Sequence, residues 1–399
     1  MLATVTVVRT ANEGTASRVL MIAGFLLIAA NLRVALTSVG PVVEDIRADL
    51  GLSGSEAGFL GTLPLLTFAV VSPQVPWLAR RIGTDQTLWT ALVLLAAGIV
   101  LRSVPVTGLL WVGTVLLGAA IAVGNVLMPS LIKRDFPQHV SAATGVYTAV
   151  VGIVASTAAG MAVPLANVLP GGWRTALGCW AGLVLVALAV WTPQVTRRRV
   201  PPAGVAERTG MPWRSLLAWE CAAFMSLSAC GFYTVLAWFP SVLHSYGTSE
   251  TTAGWLLFVY QIMGVLMSIV MPLVLSRLRD QRAVAFVSAL TAMVGYLGLL
   301  LVPALAVVWV VLTGIGAGAV FFLALSFFSL RAADPRSSAA LSGMGQALGY
   351  LVAAVGPVLF GVLHDVTGSW RVPLAVLVGV AATHAVIGLR AGRDAHVTV

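Results

Sequence analysis

The chain has 399 residues, of which 59% are hydrophobic and only 9% charged, with a mean hydropathy of +0.98; a soluble surface normally takes roughly a quarter charged residues, so lipid must be the solvent for most of it. Its 23 basic residues exceed its 14 acidic ones and leave a net charge of +9. The basic residues sit in short segments between apolar runs rather than in one patch, which excludes a nucleic-acid interface. Runs such as 91–100 and 183–191 are continuously apolar, whereas barrel strands would alternate with period two over about 10 residues. The expected class is therefore an all-α membrane protein.

A polar start (Arg9, Asn12, Glu13, Arg18) precedes the first apolar run, which is long and lacks a small-residue cleavage site, so no cleavable leader is expected. At about 20 residues per span, twelve transmembrane helices are predicted at 19–41, 55–79, 87–104, 108–131, 140–168, 173–192, 214–243, 250–275, 282–303, 306–330, 338–364 and 370–390. The longest polar stretch, Pro193 to Pro212, is rich in Arg, Pro and Gly. It reads as a cytoplasmic linker. The predicted organisation is a tail at 1–18, a six-helix bundle at 19–192, a linker at 193–213, a second six-helix bundle at 214–390 and a tail at 391–399. Counted on alternate sides, 18 basic residues face one side and only Arg47, Arg102, Arg174 and Arg371 the other. That bias predicts both termini in the cytoplasm of a cell whose inner membrane holds the chain.

A repeat supports the division. Ala57, Gly58, Pro76 and Arg81 match Ala253, Gly254, Pro272 and Arg277 at an offset of 196. Ser141-Ala142-Ala143, Gly152 and Trp173-Arg174 match Ser338-Ala339-Ala340, Gly349 and Trp370-Arg371 at an offset of 197. Two parallel halves of six helices are expected from such a pattern.

Arg33 is the sharpest functional signal. It lies 15 residues after Arg18, roughly 22 Å along a helix at 1.5 Å per residue, with no acidic residue within a turn. Such a charge costs at least about 2.5–3.5 kcal/mol on insertion scales. It should face a wet cavity and meet an anionic or strongly hydrogen-bonding solute, or else pair with carbonyls or an acid on another helix. Asn31, Thr37 and Ser38 share its segment. Further polar and aromatic side chains at depth are Asn125, Tyr147, Tyr233, Trp238, Tyr260, Gln261, Phe321, Phe322, Ser326, Gln346 and Tyr350. Each is a candidate for lining a binding site or for joining helices. Glu220, the one acid placed within a predicted span and not at its first two residues, is the candidate proton carrier. His384 in the last span reads as a packing residue, and His364-Asp365 as a cap or gate at an outer helix end. Cys179, Cys221 and Cys230 lack zinc-like spacing and read as small buried hydrophobes. Gly314, Gly316 and Gly318 follow no strand, so close helix approach explains them better than a dinucleotide loop. No nucleophile–base pair, metal-ligand cluster or Walker loop is legible, so no enzyme, metal, cofactor or ATP-driven pump is expected.

Several segments resemble one branch of the major facilitator superfamily, the cyanate permease and nitroimidazole exporter group. They are Asn31-Leu32-Arg33-Val34-Ala35-Leu36-Thr37-Ser38-Val39-Gly40-Pro41, Thr62-Leu63-Pro64-Leu65-Leu66, the stretch from Gly124 to Pro137, the stretch from Phe232 to Pro240, and the stretch from Leu341 to Tyr350. The resemblance implies two six-helix bundles around a central site reached alternately from each side. It also implies that spans one, four, seven and ten line the cavity, which suits Arg33, Asn125, Tyr233 and Trp238. The chain departs from the branch pattern at three places. Pro76 and Arg80 stand where the superfamily loop carries Gly and Asp; Val34 follows the intramembrane Arg in place of Pro; Ser228 stands in place of Gln.

The expected function is a secondary active transporter that moves a small polar or anionic solute (a cyanate-like anion, a carboxylate or a nitro-heterocycle) by alternating access. The alternatives are an exporter of toxic compounds with the same fold and a passive anion channel. Expected partners are the solute, the lipid bilayer and protons as coupling ion; a single chain is the expected unit.

Overall fold

A computed structural model describes residues 2–136, 138, 140–195, 212–333 and 335–397. Their regular structure is helical. In chain order the helices are α1 (Leu2–Thr37), α2 (Val43–Leu50), α3 (Gly54–Val71), α4 (Val75–Ile82), α5 (Thr84–Ser103), α6 (Thr107–Asp135), α7 (Val140–Val168), α8 (Trp173–Gly178) and α9 (Ala181–Val195). The second half continues with α10 (Leu216–Ser245), α11 (Glu250–Leu275), α12 (Arg282–Leu301), α13 (Ala306–Leu330), α14 (Pro335–Ala353), α15 (Val355–Thr367) and α16 (Arg371–Ala391). Grouped across their short breaks, they give twelve segments long and apolar enough to cross a membrane, the number the sequence predicts.

The breaks have local causes. A 3-10 turn at Ser72–Gln74 separates α3 from α4, where Pro73 and Pro76 supply no amide hydrogen for the helical ladder. The third span starts earlier than predicted, at Thr84, and so takes Asp85 inside the helix. Arg102, counted with the outer-side charges at the end of the predicted third span, is buried within the same helix. α3 opens with a capping box: the Ser53 hydroxyl accepts from the Glu56 amide, and the Glu56 carboxylate accepts from the Ser53 amide.

Helices α1 to α9 pack on one another as one bundle and α10 to α16 as a second. Most of the linker predicted at 193–213 lies outside the described residues, as do Met1 and the last two residues of the predicted tails. The segment after α16 is no loose tail. The Val397 amide donates to the Arg331 carbonyl at 2.7 Å, and the Arg331 guanidinium donates to the Ala391 and Gly392 carbonyls and to Gln281. In the first bundle, Arg134 joins α6 to Asp85 of α5 at 2.9 Å and also pairs with Asp135. Burial works against the Arg134 charge, yet the hydrogen bonds to Asp135 and Asp85 hold its pKa above the ordinary arginine value.

The two bundles meet through α3 against α14 and α15, through α7 against α11, and through α10 against the turn after α1. The sequence repeat lands on these seams. Gly58, in α3, leaves no room for a Cβ beside the Pro357 carbonyl at the start of α15; Gly254, its counterpart in α11, faces the Ala159 carbonyl of α7 at 3.2 Å from an added Cβ. The polar fastenings gather at one end, which the charge bias assigns to the outside. The Asp365 carboxylate of α15 accepts from the Gly54 and Ser55 amides at 3.0 and 2.8 Å, so it caps α3 across the seam. Arg47 stands 3.9 Å from the same carboxylate, and the Thr62 hydroxyl donates to the Ala354 carbonyl at 2.6 Å.

Candidate functional site

Arg33 lies in the last third of α1, half-buried, where the first bundle faces the second. Its guanidinium carbon is 5.1 Å from the centre of the Phe232 ring and 5.9 Å from that of Phe321. Both rings belong to the opposite bundle, on α10 and α13. The Phe232 ring in turn packs against Tyr233 of the same helix and Tyr260 of α11. Four helices, α1 of one bundle and α10, α11 and α13 of the other, therefore meet around one cation. Among the described residues it has no carboxylate partner and no hydrogen bond. Two ring faces are worth about 0.5–2 kcal/mol each to a cation. They soften the burial of the charge but leave its N–H groups available.

The aromatic side chains form three groups. Phe232 touches Tyr233, Phe321 and Tyr260, with centroids 5.2, 6.1 and 6.4 Å apart. Tyr147 leans on Phe25 at 6.3 Å and Tyr350 meets Phe68 edge-on at 5.7 Å. Among the described residues the fully buried Tyr260 hydroxyl and the neighbouring Gln261 amide nitrogen have no partner. A buried donor left unpaired costs roughly 1–3 kcal/mol, which a ligand or an ordered water would recover. Gln346 donates to Ser342 at 2.8 Å on the same face of α14 as Tyr350. Asn125 is half-buried on α6, one residue past Gly124, which lies against Leu32 of α1.

Other predicted residues stand elsewhere. Asn31 is buried and donates to the Leu27 carbonyl and, at 3.4 Å, to Leu183 of α9, joining helices of one bundle. Thr37 is fully buried and its hydroxyl faces the carbonyls of Arg33, Val34 and Ala155, the last at 2.9 Å. Trp238 belongs to the sealed end: its indole donates to Pro357 at 2.8 Å and its ring packs on Trp370. Glu220 lies 3.0 Å from Arg393 and twelve residues, roughly 18 Å of helix, from Phe232. Phe322 packs half-buried with the second bundle's core, while its neighbour Phe321 meets Arg33. Phe232 went unrecognised as a site residue because nothing local marks an aromatic in an apolar helix; only the opposing bundle reveals it. Asp85 went unrecognised because it sits at a span boundary. Among the described residues no three His, Cys, Asp or Glu side chains gather as a metal site.

The arrangement can hold an anionic or electron-rich planar group. The guanidinium offers directional N–H donors, the rings offer stacking faces and the phenols offer further donors.

Comparison with known proteins places this geometry. The Major Facilitator Superfamily matches residues 21–245 and 221–396. The 2-nitroimidazole transporter of Escherichia coli (strain K12) is 42% identical over 381 residues, covering 95% of this chain and 96% of its own. The cyanate transport protein CynX of the same organism is 28% identical over 356 residues, covering 88% and 91%. A bacterial homologue of the human lysosomal transporter Spinster, solved in an inward-facing and occupied conformation, shares the fold with a TM-score of 0.75 at 17% identity, over 93% of this chain and 96% of that one.

Proposed function

The chain belongs to the Major Facilitator Superfamily, a multi-pass membrane transporter of small solutes rather than an enzyme, and on that premise we propose that it moves a small planar, electron-rich or anionic solute across the bacterial inner membrane by secondary active, alternating-access transport. The observation that carries this reading is Arg33, a membrane-buried cation without a carboxylate, framed by Phe232 and Phe321 of the other bundle. A solute with a nitro or carboxylate group would take the guanidinium N–H donors, and its ring would stack on the phenylalanines. Its contacts would span both bundles, so binding would bias the equilibrium between the two bundle arrangements. The aromatic frame favours a nitro-heterocycle or aromatic carboxylate over a bare cyanate-like anion, and the 42% identity to a 2-nitroimidazole transporter agrees. The closure of the predicted outer end corresponds to an inward-facing state. Protons are the proposed coupling ion and one chain the proposed unit.

Counterflow in proteoliposomes tests the reading. Vesicles preloaded with unlabelled 2-nitroimidazole, benzoate or cyanate should transiently concentrate the labelled form of the true substrate class, with saturation. Uptake that never saturates and shows no counterflow would instead mark a passive anion channel.

A further inference from the structure

A second buried cation, Arg102 of α5, is not part of the Arg33 cage. It is only 2% exposed. Its Nη1 donates to the Ala35 carbonyl at 2.7 Å, while Nε and Nη2 have no partner among the described residues. Those two atoms form one edge of the guanidinium plane, with parallel N–H bonds: the edge that grips two acceptor atoms at once. Arg102 is one of the residues lining a cavity of about 40 Å³ between α1, α3, α5 and α6 of the first bundle and α10 of the second. Besides Arg102, its polar lining is Thr114 and Tyr233. Thr114 already donates to the Leu110 carbonyl at 2.7 Å. The lining holds no acidic side chain, so nothing in it offsets the cation. Since one water needs at least about 10–15 Å³ on this measure, the space suits roughly three to four non-hydrogen atoms.

We propose that Arg102 and Tyr233 form a second anion site, distinct from Arg33, that takes a small planar oxyanion or the carboxylate or nitro-shaped end of a solute. Shape and charge both select this class. A water would fill the space but leave the charge uncompensated in a low-dielectric surrounding. A linear anion would present one acceptor to an edge built for two. The site lies toward the predicted outer end from Arg33: Ala35, Leu36 and Val39, which line it, are two to six residues further along the chain, about 3 to 9 Å by helical rise. Tyr233 borders the cavity and packs against Phe232, the ring that Arg33 faces, so the two sites share a wall. Because α10 closes the cavity from the opposite bundle, parting of the outer end would open it. Its role as a station on the transport path rests on the proposed function; its occupancy by an oxyanion does not.

The test is thermal unfolding of the purified full chain in detergent, titrated at constant ionic strength with nitrate, formate, chloride or thiocyanate. An anion that binds only the folded state raises the midpoint saturably. Nitrate and formate should do so for the wild type and for Arg33→Gln, with apparent affinities at least tenfold tighter than chloride or linear thiocyanate. Arg102→Gln should lose the nitrate response. Arg102→Lys, which keeps a cation for the Ala35 carbonyl, should retain the response at least tenfold weakened. The proposal is overturned if nitrate and chloride act alike on the wild type, if either Arg102 variant responds like the wild type, or if Arg33→Gln abolishes the response. The last result would move the anion to Arg33 and leave the proposed function standing.

Discussion

Arg33 and Thr37 are one turn apart on α1 and do different work. The Arg33 head group reaches out of its own bundle to Phe232 and Phe321, whereas the Thr37 hydroxyl stays inside, against the Ala155 carbonyl of α7. Thr37→Val keeps the shape and removes the donor. It should destabilise the protein by about 1–2 kcal/mol, seen as a lower unfolding midpoint, and leave substrate affinity within twofold. A tenfold loss of affinity at unchanged stability would return Thr37 to the substrate. The contrast shows what a sequence can disclose about single residues. A lone Arg deep in an apolar segment is conspicuous whatever surrounds it, because its cost is fixed by depth. Asn31, Thr37 and Trp238 look just as polar in the sequence, but their donors go to carbonyls of Leu183, Ala155 and Pro357, which only the assembled helices bring near. Arg102 hid for a related reason: two residues from a span's predicted end, it was counted with the outer-side charges, although it points into the bundle.

The element that sets the resting geometry is α15. Its Asp365 caps the first turn of α3 from the opposite bundle, so the positive end of one helix is held by a carboxylate of another. Asp365→Ala removes two charge-assisted hydrogen bonds and the Arg47 contact. A loss of about 1.4 kcal/mol would change the equilibrium tenfold, so the outward-parted population should rise by about that factor. Spin labels on Val168 and Val366, which are 81% and 79% exposed near the outer ends of α7 and α15, would read this as a new long-distance component. An unchanged distance distribution would remove Asp365 from the gate. The existence, number and order of the spans were legible from apolar run length, which is a local property. The breaks at Ser72 and Ala354 and the early start of α5 depend on prolines and on ion pairs such as Asp85–Arg134, and a hydropathy profile weighs neither.

At the scale of the whole molecule, the internal repeat is a map of where the two bundles touch. Ala57-Gly58 on α3 and Ala253-Gly254 on α11 recur because each must admit a helix of the other half closely, α15 in one case and α7 in the other. Gly58→Val should therefore part the predicted outer end, lengthening the Val168–Val366 distance and shortening the separation of labels at Ile82 and Leu278 on the opposite end. A variant that kept the wild-type distances would show that the seam adapts rather than gates. The central claim is that Arg33 is the solute's anchor between the bundles. It is tested most directly by equilibrium binding of the counterflow substrate to purified wild type, Arg33→Lys and Arg33→Gln, read by calorimetry. One charge-assisted bidentate contact is worth about 1.5–3 kcal/mol, so Arg33→Gln should bind roughly ten- to a hundredfold more weakly and Arg33→Lys should fall between, with all three folded. Equal affinity in the three proteins would make Arg33 a structural residue and contradict the account.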